Sequence, residues 1–114
     1  MDLDFSKRQI TLVVAPVDMR SGFARLSLMA SSLLNIRVAE QKDVVVFISK
    51  SRKIVKLIWA DEHGSVLLNR RLNLGRFEKF LLKANTPATK EFTVKDLMQF
   101  LDGRPMMVER KYIL

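Results

Sequence analysis

The chain has 114 residues, which suits one domain with a single core, and 48% of them are hydrophobic, which excludes a disordered polypeptide. With 20 Lys and Arg against 12 Asp and Glu, the net charge of +8 favours a polyanionic partner. The absence of cysteine excludes disulfides, thiolate metal sites and cysteine nucleophiles. The opening residues lack a signal-peptide pattern and no apolar run approaches the ~20 residues of a membrane span, so a soluble cytoplasmic protein is expected.

Met1–Ser6 reads as a loose end. Gln9–Val14 (QITLVV) predicts a first strand, which Pro16 ends because proline offers no backbone N–H to a ladder. The period then changes. Phe23, Leu26, Met29, Ala30, Leu33 and Leu34 recur at helical spacing and predict an amphipathic helix over Arg20–Leu34. Asp18 or Ser21 is expected to cap its first turn, and Asn35 to stop it. Ile36–Lys42 is a polar connection.

Three β-rich runs follow, Val44–Ser49, Ile54–Ala60 and Val66–Leu72, separated by Lys50-Ser51-Arg52-Lys53 and Asp61-Glu62-His63-Gly64. Their length and short polar breaks predict an antiparallel meander of two hairpins. Alternation sets Val55, Leu57 and Trp59 on one face and Ile54, Lys56 and Ile58 on the other, with the Trp59 face expected in the core. Phe77, Phe80, Leu81 and Ala84 then predict a second helix over Arg76–Ala84, and Asn85–Lys90, with Pro87, a loop. Thr93 and Asp96 have capping-box spacing and open a third helix with Leu97, Met98, Phe100 and Leu101 as its apolar face; Asp102-Gly103 ends it. Met107–Leu114 is a last short strand or a docking tail. The element order predicts an α+β fold. A mostly antiparallel sheet would hold the central three-stranded meander, with the helices packed on one face and the other partly open to solvent.

Catalytic and metal chemistry find little support. Asp61, Glu62 and His63 are adjacent in a turn, and a single histidine excludes zinc sites built on two or three. The bland reading is a hairpin turn in which Gly64 supplies positive φ. Asp18 with Asp61 as a two-metal carboxylate pair lacks a third acid. His63 as a general base lacks a serine in a nucleophile elbow. Gly64 and Gly75 are isolated, so there is no phosphate-cradling loop. No cofactor or metal is expected. Positive charge is the distinctive feature: Lys50, Arg52, Lys53, Lys56, Arg70, Arg71 and Arg76 fall in or beside the meander. They suit a nucleic-acid surface, or else protect exposed strand edges against aggregation.

Three segments carry a resemblance. They are Val17-Asp18-Met19-Arg20-Ser21-Gly22-Phe23-Ala24-Arg25-Leu26, Ser51-Arg52-Lys53-Ile54-Val55-Lys56-Leu57-Ile58-Trp59, and Arg70-Arg71-Leu72-Asn73-Leu74-Gly75-Arg76-Phe77. In order and spacing they resemble the second-open-reading-frame, TnpB-type accessory protein of the bacterial insertion-sequence family numbered sixty-six, over roughly residues 9–80. That family's usual Trp-Asp is interrupted here by Ala60, and Glu78-Lys79 stands where Trp-Pro often follows Gly-Arg-Phe. The tail from Phe92 onward has no counterpart in these motifs. The resemblance implies a small protein that works beside a separate transposase, and it carries over no catalytic residues.

The resulting expectation is a single domain over residues 1–114, with a family-like core at 8–84 and a helix and tail at 85–114. It is a non-enzymatic accessory protein of DNA transposition. It would bind DNA or the transposase–DNA complex through phosphate contacts from Lys50, Arg52, Lys53, Lys56, Arg70, Arg71 and Arg76, with Arg20 and Arg25 adding to the field. Two alternatives stand beside it. One is an interaction module that binds the transposase or a second copy without touching DNA. The other is a small toxin-like ribonuclease. No membrane partner is expected.

Overall fold

A computed structural model describes residues 4–80 and 89–104. Its centre is the pair of parallel strands β1 (Gln9–Val13) and β2 (Asp43–Ile48), joined by a crossover containing helix α1 (Phe23–Leu34) and a 3-10 turn (Val38–Glu40). β2 leads through a short turn to β3 (Ile54–Asp61), and a second hairpin leads to β4 (Gly64–Arg71). β5 (Thr89–Phe92) pairs antiparallel with β1, and helix α2 (Val94–Leu101) follows it. The sheet order is β4-β3-β2-β1-β5. Three of its four pairings are antiparallel and one is parallel, so the α+β expectation and the meander hold within a mixed sheet.

The helices do not share a face. Val13, Val45, Phe47, Ile58 and Ala60 pack with Leu26 and Ala30 of α1 and with Val38. Ile10, Leu12, Val44, Val46, Val55, Leu57 and Trp59 pack on the opposite side with Phe77 and with Leu97, Phe100 and Leu101 of α2. The physical reason lies in Val44–Ile48, an unbroken apolar run. A strand with no polar alternation is buried on both sides, so the sheet needs a cover on each face. Trp59 is buried as expected, edge-on to Phe5 with ring centroids 4.9 Å apart.

α1 begins at Phe23 rather than Arg20, with Gly22 as its N-cap and no side-chain cap. Asp18 instead accepts the backbone N–H and the guanidinium of Arg20. Asn35 stops the helix in the left-handed region at φ 55, and the Ile36 N–H closes back on the Ala30 carbonyl at 3.1 Å. At the β3–β4 hairpin, Asp61 Oδ1 accepts from the N–H groups of His63 and Gly64 at 2.8 and 3.0 Å, and Gly64 sits at φ 149. This is the turn that Asp-Glu-His-Gly predicts.

The segment expected to open a second helix forms no helix over 76–80. The Phe77 N–H is committed to the Arg52 carbonyl at 2.7 Å, and the Phe77 ring stacks on Phe100 with centroids 5.2 Å apart. Residues 81–84 of that expected helix, and the Met107–Leu114 strand or tail, lie outside the described residues. The predicted loop at 85–90 gives way to β5 at Thr89. α2 carries the expected capping box: Asp96 N–H donates to Thr93 Oγ1 at 3.0 Å, and Thr93 N–H to Asp96 Oδ2 at 3.1 Å. Gly103 ends the helical region at φ 73, where a Cβ would also come within 3.1 Å of Leu72 Cδ1. Among the described residues, no helix is long and apolar enough to cross a membrane.

Candidate nucleic-acid interface

Pairing register decides where the basic residues meet. Arg71 lies opposite Ile54 and Arg70 opposite Val55, so the end of β4 stands beside the β2–β3 turn that carries Lys50, Arg52 and Lys53. The chain beyond β4 stays at this turn. The Leu72 N–H donates to the Lys53 carbonyl at 3.0 Å, the Phe77 N–H to the Arg52 carbonyl, and Arg52 Nη1 to the Phe77 carbonyl at 3.1 Å. Arg76 and Lys79 flank that clamp in sequence. Three stretches, 50–53, 70–71 and 76–79, are thereby gathered at one end of the sheet, with Glu78 the acidic residue among them. The opposite end mixes signs, with Glu40, Asp43, Asp61 and Glu62 beside Arg8, Arg37 and Lys42. There burial and the neighbouring Glu40 carboxylate raise the Asp43 carboxyl above its ordinary pKa.

The basic residues gather at an end of the sheet and not on one face of the meander. Paired residues of adjacent strands share a face, so Arg70 lies on the α2 side with Val55, and Arg71 on the α1 side with Ile54. Lys50, Lys53, Arg70, Arg71 and Arg76 are exposed. The ion pair Glu62–His63 lies at the opposite end, whereas Asp18–Arg20 follows Val17, whose N–H donates to the Ile48 carbonyl, and Asp102–Arg104 flanks Gly103, which lies against Leu72.

Three of the residues expected to contact phosphate are already engaged. Lys56 is half-buried, and its Nζ donates to the carbonyls of Met19 and Ser21 at 2.6 and 3.0 Å. It staples the Asp18–Phe23 segment onto β3, which makes it a structural cation in this arrangement. Arg52 is half-buried and holds Phe77, with its own backbone at φ 61. Arg20 is exposed but forked onto Asp18, with Nη2 2.7 Å from Oδ2. The Arg20 side chain and N–H hold the Asp18 carboxyl down at a pKa of about 2, and the charge of Arg25 adds to this. Arg25 itself stands exposed on the first turn of α1.

Lys79 is the residue that sequence reasoning misses. The helix expected over Arg76–Ala84 is not formed at 76–80, and Lys79 there lines a recess of about 410 Å³. This recess opens beyond the C-terminal ends of β1 and β2, where open α/β sheets characteristically bind ligands. Leu12, Val14, Pro16, Ile48 and Phe80 give it apolar walls, and Lys50, Arg52, Lys79, Ser49 and Glu78 give it polar ones. Among the described residues, no group of three or more His, Asp or Glu side chains could hold a metal ion.

Comparison with known proteins agrees with the motifs. Over 69 residues the chain is 33% identical to a protein of Sinorhizobium fredii (strain NBRC 101917 / NGR234) named "Uncharacterized protein y4hO". The alignment covers 60% of this chain and 59% of that one, so the chain spans less than two thirds of this relative's length. No solved structure matches. The model of the family described as IS66 Orf2 like protein matches residues 8–111, taking in β5, α2 and the tail that the motif resemblance leaves out. That is a family of accessory second-reading-frame proteins and not a known catalytic family, and the chain belongs to it.

Proposed function

We propose that this protein is a non-catalytic accessory factor of DNA transposition that grips the DNA backbone, alone or together with the transposase, through the cationic end of its sheet. The observation that carries the reading is the gathering of Lys50, Lys53, Arg70, Arg71, Arg76 and Lys79 from three separate stretches onto one end, where Glu78 is the acid among them. Backbone hydrogen bonds fix this end, so the charges are presented on a rigid support. Exposed cations held this way attract phosphate without selecting bases. Arg20 and Arg25 extend the field from the α1 side. Lys56 and Arg52 serve the reading indirectly, by holding the Asp18–Phe23 and Leu72–Phe80 segments in place.

The test is binding of duplex DNA by the full chain as salt is raised. The expected result is affinity that falls steeply between low and physiological salt, and that collapses when Lys53 and Arg71 are both changed to Glu. Salt-independent binding, or binding unaffected by the double change, defeats the reading.

A further inference from the structure

We infer that the recess beyond β1 and β2 receives an unpaired nucleotide, so that the cationic end holds single-stranded DNA in preference to duplex. The inference rests on the DNA-binding reading above and deepens it.

A surface that serves only as a phosphate grip needs charge and no concavity. This one carries a recess of about 410 Å³, within the roughly 300–1,000 Å³ of small-molecule sites. Its lining includes Leu12 and Ile48, both buried in the core. Phe80 supplies an aromatic wall. Its ring is fixed by Phe92 and Phe100, with centroids 5.9 and 6.1 Å away, and Lys90 Nζ lies 5.2 Å from its centre. An apolar, partly aromatic slot suits a base, whose faces are apolar and whose removal from water is favourable once it is unstacked.

Charge decides between a nucleotide and an acidic peptide with an apolar anchor. Lys50 and Lys79 stand on the rim, and the β2–β3 turn carries the positive field on to Lys53, Arg70 and Arg71. A base seated in the slot has a phosphate on each side, and both run onto this strip. An anchored peptide would need acids spaced along the same track.

The experiment compares two short single strands with the same phosphate count, one wholly abasic and one with a single base restored. Both are titrated against the full-length protein and against Val14→Trp, which fills the recess from its wall. The expected result is about tenfold tighter binding of the base-bearing strand, with equal salt slopes for the two. In Val14→Trp that difference disappears while the abasic strand still binds. Equal affinity of wild-type protein for both strands, with steep salt dependence, overturns the nucleotide slot and leaves the phosphate-grip reading standing. Failure to bind either strand or duplex removes both. A leucine-anchored acidic peptide that binds wild type but not Val14→Trp, with no effect of the restored base, overturns the inference in favour of a protein partner. The wild-type comparison of strands does not depend on how the Trp variant folds.

Discussion

Lys56 reaches from the middle of β3 to the carbonyl oxygen of Met19, 2.6 Å away, and to that of Ser21 at 3.0 Å. The basic residue nearest the centre of the meander is therefore spent on the backbone that leads into α1. Replacing it with Met removes the donor, keeps the stem and leaves the two carbonyls unpaired. We expect a loss of about 1–3 kcal/mol in urea unfolding, because the cost is set by the stranded acceptors. The salt dependence of DNA binding should stay as in wild type. A Lys56→Met protein of unchanged stability but reduced salt slope would return this residue to the phosphate-contact role.

Arg52 is a second cation whose work is internal. Its backbone lies in the left-handed region at φ 61, and its guanidinium holds the Phe77 carbonyl at 3.1 Å. Arg52→Ala loses that bond and keeps the backbone strain. Arg52→Gly loses the bond and relieves the strain, which costs a side-chain-bearing residue about 1–2 kcal/mol. The expected order of stability is wild type, then Gly, then Ala, with Gly above Ala by roughly 1 kcal/mol. Denaturant midpoints of the three proteins check this, and a Gly variant no more stable than the Ala variant contradicts it.

The exposed cations divide from these two by salt dependence. Log affinity for duplex DNA falls with log salt in proportion to the phosphates neutralised, by about 0.9 for each. Lys50→Ala, Lys53→Ala and Arg71→Ala should each lower the slope by about 1 without shifting the unfolding midpoint by more than about 0.5 kcal/mol. Arg70 lies on the other face of β4 from Arg71, so a duplex that engages one face distinguishes the two arginines. The neighbour that leaves the slope unchanged identifies the face turned away from DNA.

What the sequence made legible follows from how local each signal is. Thr93 with Asp96, Asn35, and Asp61 with Gly64 are short-range devices in which the partner is a few residues away, and each stands as predicted. β5 was hidden because Thr-Lys-Glu-Phe carries no strand signature of its own; it is a strand because β1 offers an edge to pair with. Phe77 and Phe80 have helical spacing, yet 76–80 is not helical, because Arg52 binds the backbone of Phe77 from 25 residues away. The clustering of Lys50, Lys53, Arg70, Arg71 and Arg76 along the chain is visible in composition, whereas their gathering at one end of the sheet depends on strand register and is not. Alternation fixes which face Lys56 takes, but nothing local says that the segment preceding α1 covers that face.

The capping box gives a direct check on the local reading. Thr93 satisfies the N–H of Asp96, and Asp96 returns the bond to the N–H of Thr93. Thr93→Ala should cost about 1 kcal/mol in thermal or urea unfolding, and Thr93→Ser much less. DNA binding should be untouched, because Thr93 follows the end of β5 that pairs with the start of β1, at the opposite end of the sheet from the cationic turn. A Thr93→Ala protein as stable as wild type would mean that packing of Leu97 and Phe100 alone fixes the helix.

Asp18 and Arg20 supply a prediction in pH. The fork from Arg20 lowers the Asp18 pKa from 3.8 to about 2, so the folded form favours the ionised carboxylate. A group whose folded pKa is depressed contributes above its unfolded pKa and loses that contribution as pH falls through the folded value, here between about 4 and 2. Both groups face solvent, so the effect on global stability should be small and weakened by salt. A carboxyl-detected NMR titration should place the Asp18 midpoint at about 2. Arg20→Gln should move it most of the way to 3.8, and Arg25→Gln less, since Arg25 acts only through its charge. The same pair tests the field at the cationic end: Asp18→Asn leaves Arg20 unneutralised and should tighten DNA binding, whereas Arg20→Gln should weaken it. If both changes leave affinity untouched, the Asp18–Arg20 fork is a local brace for the entry to α1, and Arg20 has no part in holding phosphate.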